Sequence, residues 1–309
     1  MTSLIAVVGP TGTGKSDAGI AIAKHIEMLG GRAEIVNTDS MQFYRGMDIG
    51  TAKLSKLEQG GIQHHLLDWL EITQESTAAE YQAVARPKIL ELQQQGITPI
   101  LVGGSMLYIA AVLNNFGFAA RDAKIRAELE QELIHIGESE LYRKLVALAP
   151  ETASRIDPKN GRRIVRALEV VQITGEDFAA KLPDFNESWQ PVLEIGLNSD
   201  RAHLVQRLGA RAENMWKRGL LAEVESLIPL GVRQGKTSSK AIGYAQALAQ
   251  LDGTMTESEA IAETARLTGR YARRQMSWFR RDERITWFDY QDENLLPSIL
   301  TSVTAHLNA

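Results

Sequence analysis

Gly9-Pro10-Thr11-Gly12-Thr13-Gly14-Lys15-Ser16 fits the pattern G-x4-G-K-[ST] at every constrained position. Residues of these types at this spacing hold phosphate. The glycines let backbone N–H groups turn inward around a cluster of anionic oxygens, and a helix N-terminus behind them adds positive potential. Lys15 supplies a cation, and Ser16 can place its hydroxyl on Mg²⁺. The pattern means phosphate or diphosphate. By itself it does not mean ATP.

Asp39 is the second reactive candidate. It ends an apolar run and so falls at the carboxyl edge of a sheet, where open α/β sheets bind ligands. There it should face the phosphate loop. It can hold Mg²⁺ through water, accept a proton as general base, or cap a helix. Residue type and position do not separate these roles. The residues that follow, Ser40-Met41-Gln42-Phe43-Tyr44-Arg45-Gly46, are unusual after a plain cap. Gln42 can pair with the edge of a base, and Phe43 or Tyr44 can stack on one. His64 and His65 invite a metal reading, but adjacent side chains share no face of a helix or strand, so a shared metal is not expected.

A scaffold must bring these groups to one edge. Leu4 to Val8 reads as a buried parallel strand, and a helical pattern runs from Ser16 to about Leu29. Glu34 to Thr38 reads as a second strand, Ala78 to Gln95 as a helix, and ITPILVGGS as a third strand ending in two glycines. Strands alternating with helices predict a parallel α/β sheet. From Arg121 to about Gly175 only helical patterns occur: Ala123 to Ile136, Ser139 to Ala149 and Gly161 to Ile173. KLPDFNESWQP (181–191) reads as a connection, and VLEIGLN (192–198) is strand-like again. Helical patterns return at 201–229, 238–251 and 256–281, with a short strand at Ile285 to Phe288.

The chain has 309 residues, no cysteine and a formal net charge of −4. Without cysteine there is no disulfide scaffold, thiolate zinc site, iron–sulfur cluster or cysteine nucleophile. No stretch approaches the roughly 18 apolar residues that span a membrane, and the run at Leu4 lacks a signal peptide's basic flank. A soluble cytoplasmic protein is expected. The acidic total argues against a simple cationic nucleic-acid binder, but the charge is uneven. Residues 201–284 hold 15 Lys and Arg against 9 Asp and Glu, and Arg162, Arg163 and Arg166 share one helical turn. Arg266, Arg270, Arg273, Arg274 and Arg281 fall mainly on one side of a helix, opposite Leu267, Tyr271 and Trp278. Such a stripe suits a phosphate backbone or a salt-bridged surface.

Together these motifs carry a specific resemblance. GPTGTGKS, DSMQFYRGMDIGTAK (39–53), HHLLD (64–68), GGSMLY (103–108), RIDPKNGRRIVRALEV (155–170), AIGYAQ (241–246) and YARRQMSWFRR (271–281) occur in order along nearly the whole chain. They resemble the tRNA dimethylallyltransferases, also called tRNA isopentenyltransferases. The resemblance implies transfer of a five-carbon allylic group from dimethylallyl diphosphate to N6 of the adenosine just 3′ of the anticodon. It implies Mg²⁺, held by Ser16 with Asp39 as a further candidate, and a diphosphate on Gly9 to Ser16. It makes Asp39 the base, Ser105 a hydroxyl near diphosphate and adenosine, and Arg211 a cation of the diphosphate site. It puts tRNA contacts at Asp39, Ser40, Met41, Gln42, Ser105, Arg126, Arg162, Arg163, Ile164, Val165, Arg166, Lys240, Ala241, Ile242, Gly243, Tyr244 and Ala245.

Read without the family, Arg211 is an ordinary solvated charge and Arg162 with Arg166 a solvated face. The expected fold is α/β: a P-loop NTPase-like parallel-sheet core at 1–117 and 190–309, and a mostly helical insertion at 118–189. Core and insertion together would clamp the anticodon stem-loop of tRNA. A monomer is expected. Phe43, Leu54 and Gly161 depart from the family's usual residues, while Ser16 and Ser105 are conservative hydroxyl exchanges. The absence of a Cys- and His-bearing C-terminal extension fits a bacterial or organellar short form. A small-molecule kinase using ATP on the same loop has no need of the Asp39–Gln42 block or of Arg126 and the arginines at 162–166, and a non-catalytic RNA-binding NTPase would leave Asp39 without a proton to accept.

Overall fold

The computed structural model describes residues 2–115, 118–119, 121–177 and 187–308. Contacts divide the chain into two compact units: Met1–Asn115 with Phe185–Ala309, and Phe116–Asp184. The first six residues of the connection expected at 181–191 lie outside the described residues.

The first unit is built on a parallel sheet of β1 (Leu4–Val8), β2 (Ala33–Asn37), β3 (His64–His65), β4 (Thr98–Val102), β5 (Val192–Asn198) and β6 (Thr286–Asp289). The strands lie in the order β3-β2-β4-β1-β5-β6. β1 is central, pairing Val7 with Val102 of β4 and with Ile195 of β5. All five of its residues are buried. Leu4, Ala6 and Val8 enter one core, Ile5 and Val7 the other. A strand covered on both faces must be apolar throughout, which is why its pattern does not alternate.

Several expected elements differ in detail. The pattern at 201–229 is two helices, Arg201–Lys217 and Leu220–Leu227, because Gly219 between them is left-handed (φ 97°). Of 238–251, only Tyr244–Leu251 is α-helical, after a 3-10 turn at Ser238–Lys240. The edge strand β3 and the helices Met106–Leu113, Pro150–Ala153 and Leu295–Leu307 were not expected. Phe43 and Tyr44 are no stacking platform. Both are buried, and Phe43 stacks on Tyr81 at 5.0 Å, with Trp69 at 5.4 Å and Tyr108 at 5.6 Å.

The second unit contains the helices Ala123–Leu148, Pro150–Ala153 and Gly161–Thr174. The first is interrupted at Gly137 (φ 77°, ψ 170°). Leu129, Leu141, Leu145, Ile164, Val165 and Leu168 form its core. A Cβ at Gly161 would meet Leu133 Cδ2 at 2.8 Å, so glycine there lets the helix start close on its neighbour.

One buried acid has a consequence for stability. Glu194 on β5 is 2% exposed and lies against Arg284, 3.1 Å from its Nε. Burial and the neighbouring Asp282 push its pKa up to about 7, against the pull of Arg284. A carboxyl whose pKa rises on folding favours the folded state while protonated. That contribution is full below the unfolded value, near 4.3, and is lost as pH rises through about 7. Wild type is expected to lose a few kcal/mol between pH 5 and pH 8 through this group. Urea midpoints of wild type and Glu194→Gln at both pH values test this. Equal losses in the two proteins would rule it out.

Candidate active site

The strand order brings three loops to the carboxyl edge of the sheet. β4 lies between β1 and β2, so its Gly103-Gly104-Ser105 end sits between the phosphate loop after β1 and Asp39 after β2. The fit is tight enough to require glycine. A Cβ at Gly103 would lie 2.2 Å from Thr38 Oγ1 and 2.8 Å from the Asp39 nitrogen. At the start of the phosphate loop, a Cβ at Gly9 (φ 137°) would meet the Leu197 carbonyl at 2.3 Å.

Within the loop, Lys15 Nζ donates to the Pro10 carbonyl at 2.7 Å, as does Thr13 Oγ1 at 2.9 Å. Burial lowers Lys15 to about 8; Asp39 works against that shift and Arg211 with it. Gly14 at the helix N-terminus is left-handed, and no side chain caps that end. Its N–H groups therefore remain directed at the cavity in front of them.

Asp39 does cap a helical turn, accepting the Met41 N–H at 3.1 Å. That bond employs one carboxylate oxygen, so capping does not preclude chemistry. Burial raises its pKa, while the Met41 N–H, Lys15 and Arg211 pull it down. Ser105 Oγ accepts the Ser40 N–H at 2.9 Å and lies 3.1 Å from Ser40 Oγ. Burial pushes the pKa of the nearby Tyr271 hydroxyl up to about 12.

A cavity of about 530 Å³ joins the phosphate loop to Asp39, whereas Ser40, Met41, Ser105 and Tyr271 do not line it. Thr11, Gly12, Gly14, Lys15 and Ser16 line one side, and Asn37, Asp39, Gln42, Thr51 and Ala52 another, with Arg207 and Arg211. Arg207 and Arg211 stand one turn apart on the helix Arg201–Lys217. Arg211 Nε is buried with no hydrogen-bond partner among the described residues. Arg207 lies over the Tyr290 ring, 4.4 Å from its centroid. Ser16 and Asp39 offer this cavity only oxygen donors, a set that suits a hard ion such as Mg²⁺.

The other expected residues lie elsewhere. Arg126 and Arg166 both reach Glu169, which is fully buried in the second unit, at 3.5 and 2.7 Å. Arg166 is therefore a paired charge, not part of a solvated face with Arg162. Arg162 and Arg163 are exposed, whereas Ile164 and Val165 belong to the core of that unit. In the first unit, Lys240 is exposed and Ile242 and Ala245 are half-buried, but Ala241, Gly243 and Tyr244 are buried. The Tyr244 hydroxyl is occupied by Glu223. His65 pairs with Glu34 and His64 with the Ile62 carbonyl. Of the basic stripe, Arg266 pairs with Glu263 and Arg274 lies over Tyr271.

Sequence reading passed over Gln275. Its side chain is 1% exposed, accepts the Thr11 N–H at 2.9 Å and donates to the Gly104 carbonyl at 2.8 Å, joining the phosphate loop to the end of β4. One signal existed: Gln275 lies one helical turn after Tyr271, on the inward side of an amphipathic helix.

Known proteins place this geometry. The IPP transferase family matches residues 42–282. A tRNA dimethylallyltransferase of Thermobifida fusca is 50% identical over 306 residues, 99% of this chain and 96% of that protein. A full-length tRNA isopentenylpyrophosphate transferase from Bacillus halodurans superposes with a TM-score of 0.73 at 36% identity, covering 100% of this chain and 97% of that one. A eukaryotic dimethylallyltransferase acting on tRNA gives a TM-score of 0.79 at 25% identity, over 98% of this chain and 78% of that one.

Proposed function

The chain belongs to the IPP transferase family, and from that premise we propose that it moves the dimethylallyl group of dimethylallyl diphosphate onto N6 of the adenosine 3′ of the anticodon in tRNA. The products are N6-isopentenyladenosine and diphosphate. The observation that carries this reading is a single cavity with a phosphate loop and Arg211 on one side and a carboxylate of raised pKa on the other.

The diphosphate rests on the phosphate loop, where Pro10 has no N–H and the Thr11 N–H is taken by Gln275, so the N–H groups of Gly12 to Ser16 receive it, with Lys15 and Arg211 meeting the charge that develops as the allylic C–O bond breaks. Lys15 then leaves the Pro10 carbonyl for a phosphate oxygen. N6 forms the new C–N bond, and its proton passes to Asp39. Burial suits Asp39 to this work by raising its affinity for a proton. Ser105 does not line the cavity; it fixes the Asp39 turn through Ser40. Ser16, with Asp39 as a second oxygen donor, would hold Mg²⁺ beside the diphosphate, where the ion adds positive charge at the leaving group.

The adenosine leaves its stack to reach the cavity. We assign the tRNA contacts to exposed Arg162, Arg163 and Lys240 and to the Asp39–Gln42 turn, with the unit Phe116–Asp184 serving the anticodon stem-loop. Such contacts place one stem-loop in register without a large positive total charge. The protein acts as a cytoplasmic monomer.

Incubation with labelled dimethylallyl diphosphate and an unmodified tRNA carrying adenosine at the positions around the modified base tests the reading. Label is expected in the RNA. ATP consumption on a small acceptor with no label in RNA would establish a kinase instead.

A further inference from the structure

Lys53 has a side chain only 4% exposed and does not line the cavity. Its Nζ donates to the Tyr44 carbonyl at 2.8 Å, to Asp48 at 2.7 Å and to Asp68 at 2.5 Å. Tyr44 and Asp48 come from the segment after the Asp39–Gln42 turn, and Asp68 from the loop after β3. One buried ammonium therefore ties two loops together.

The backbone around it is strained. Ala52 (φ 50°), Leu66 (φ 59°) and Asp68 (φ 54°) are the non-glycine residues with left-handed backbone among the described residues. Ala52 adjoins Lys53, Asp68 is its partner, and Leu66 lies two residues before Asp68. Such conformations persist where surrounding contacts over-determine them, and they gather at functional sites.

Their polar groups lead to the reactive turn. The Gln42 amide donates to the Thr51 carbonyl at 3.2 Å and the Ala52 carbonyl at 3.5 Å, and the Asp68 N–H returns to the Gln42 carbonyl at 3.3 Å. The Asn37 amide donates to the carbonyls of Leu66 and Asp39, each at 3.2 Å, and Asn37 Oδ1 accepts the Asp39 N–H at 3.1 Å. We propose that Lys53 is a positioning residue for the acceptor side of the site, holding Gln42 and Asp39 where the target base is bound and deprotonated, without touching either reactant. This rests on the transferase reading above. The bonds of Lys53 lead to the acceptor wall and not to the phosphate loop, so its loss should separate the two substrates kinetically.

Lys53→Met, Asp68→Asn and Asp48→Asn test this through steady-state kinetics with both substrates, alongside thermal unfolding. Asparagine at 68 keeps the side-chain volume and tolerates the left-handed backbone, so it reports even where Lys53→Met fails to fold. Lys53→Met is expected to raise KM for tRNA at least tenfold and Asp68→Asn about threefold, with KM for the diphosphate donor within twofold of wild type. Asp48 is 56% exposed, and Asp48→Asn is expected to stay near wild type. Folded variants that melt earlier but keep both KM values and kcat would reduce Lys53 to a stabilising role and overturn the proposal. So would an equal rise in donor KM. Wild-type protein that transfers no label overturns the transferase reading, and this inference with it.

Discussion

An Asp39→Asn protein is expected to transfer the prenyl group about 10²–10⁴ times more slowly than wild type while keeping most of its tRNA affinity, which the rest of the turn and the exposed arginines carry. Asparagine is the informative substitution because Asp39 has two roles in the structure. Its carboxylate caps the turn at Ser40–Phe43 by accepting the Met41 N–H. Asparagine caps about as well as aspartate, so the turn, Ser40 and Gln42 stay in place and only the proton acceptor is lost. Asp39→Ala removes the cap as well, at a further cost of about 1 kcal/mol in stability. Single-turnover transfer measures the chemical step, and gel-shift titration measures RNA affinity. The wild-type rate should also fall on the acid side at a pH above the ordinary aspartate range, since burial raises the pKa of this carboxyl. Asparagine should abolish that limb. Near-normal turnover in Asp39→Asn would leave the residue as a cap and nothing more.

The phosphate loop and Asp39 were legible in the sequence because each follows a strand whose whole length is buried or nearly so. An unbroken apolar run ending in glycine or aspartate is a local signal, and the parallel sheet brings such ends together. Elements whose meaning depends on distant partners were not legible. β3 is two residues long and exists through pairing with β2. Phe43 and Tyr44 follow Asp39 as base-stacking rings would, yet Tyr81, Trp69 and Tyr108 enclose Phe43 from positions at least 26 residues away in sequence. Arg166 reads with Arg162 as a solvated face, yet it pairs with the buried Glu169, which Arg126 also reaches from another helix. Gln275 lies inside a motif dominated by arginines and reaches back 264 residues to the phosphate loop. Spacing along one helix does not reveal such a partner.

Arg211→Gln should separate activity from stability in opposite directions. Burial lowers the pKa of the Arg211 guanidinium, opposed by Asp39 and assisted by Arg207. Arginine stays charged under such pressure, so the folded protein carries a desolvated cation whose Nε has no hydrogen-bond partner among the described residues. A diphosphate oxygen would supply that partner. Removing a donor aimed at developing charge costs about 10²–10³ in rate, and kcat/KM for the donor is expected to fall by that factor while tRNA affinity holds. Removing a buried charge that Asp39 offsets only in part relieves a penalty, so the melting temperature should stay level or rise. Arg211 also lowers the pKa of Asp39. Its loss should move the acid limb of the pH–rate profile to higher pH, a shift that a simple binding defect would not produce. Lysine at 211 should restore little, because a point charge cannot reproduce the planar fork that arginine presents to phosphate. An Arg211→Gln protein that melts markedly earlier and keeps its donor KM would instead make Arg211 a structural partner of Asp39, leaving the diphosphate to Lys15 and the loop.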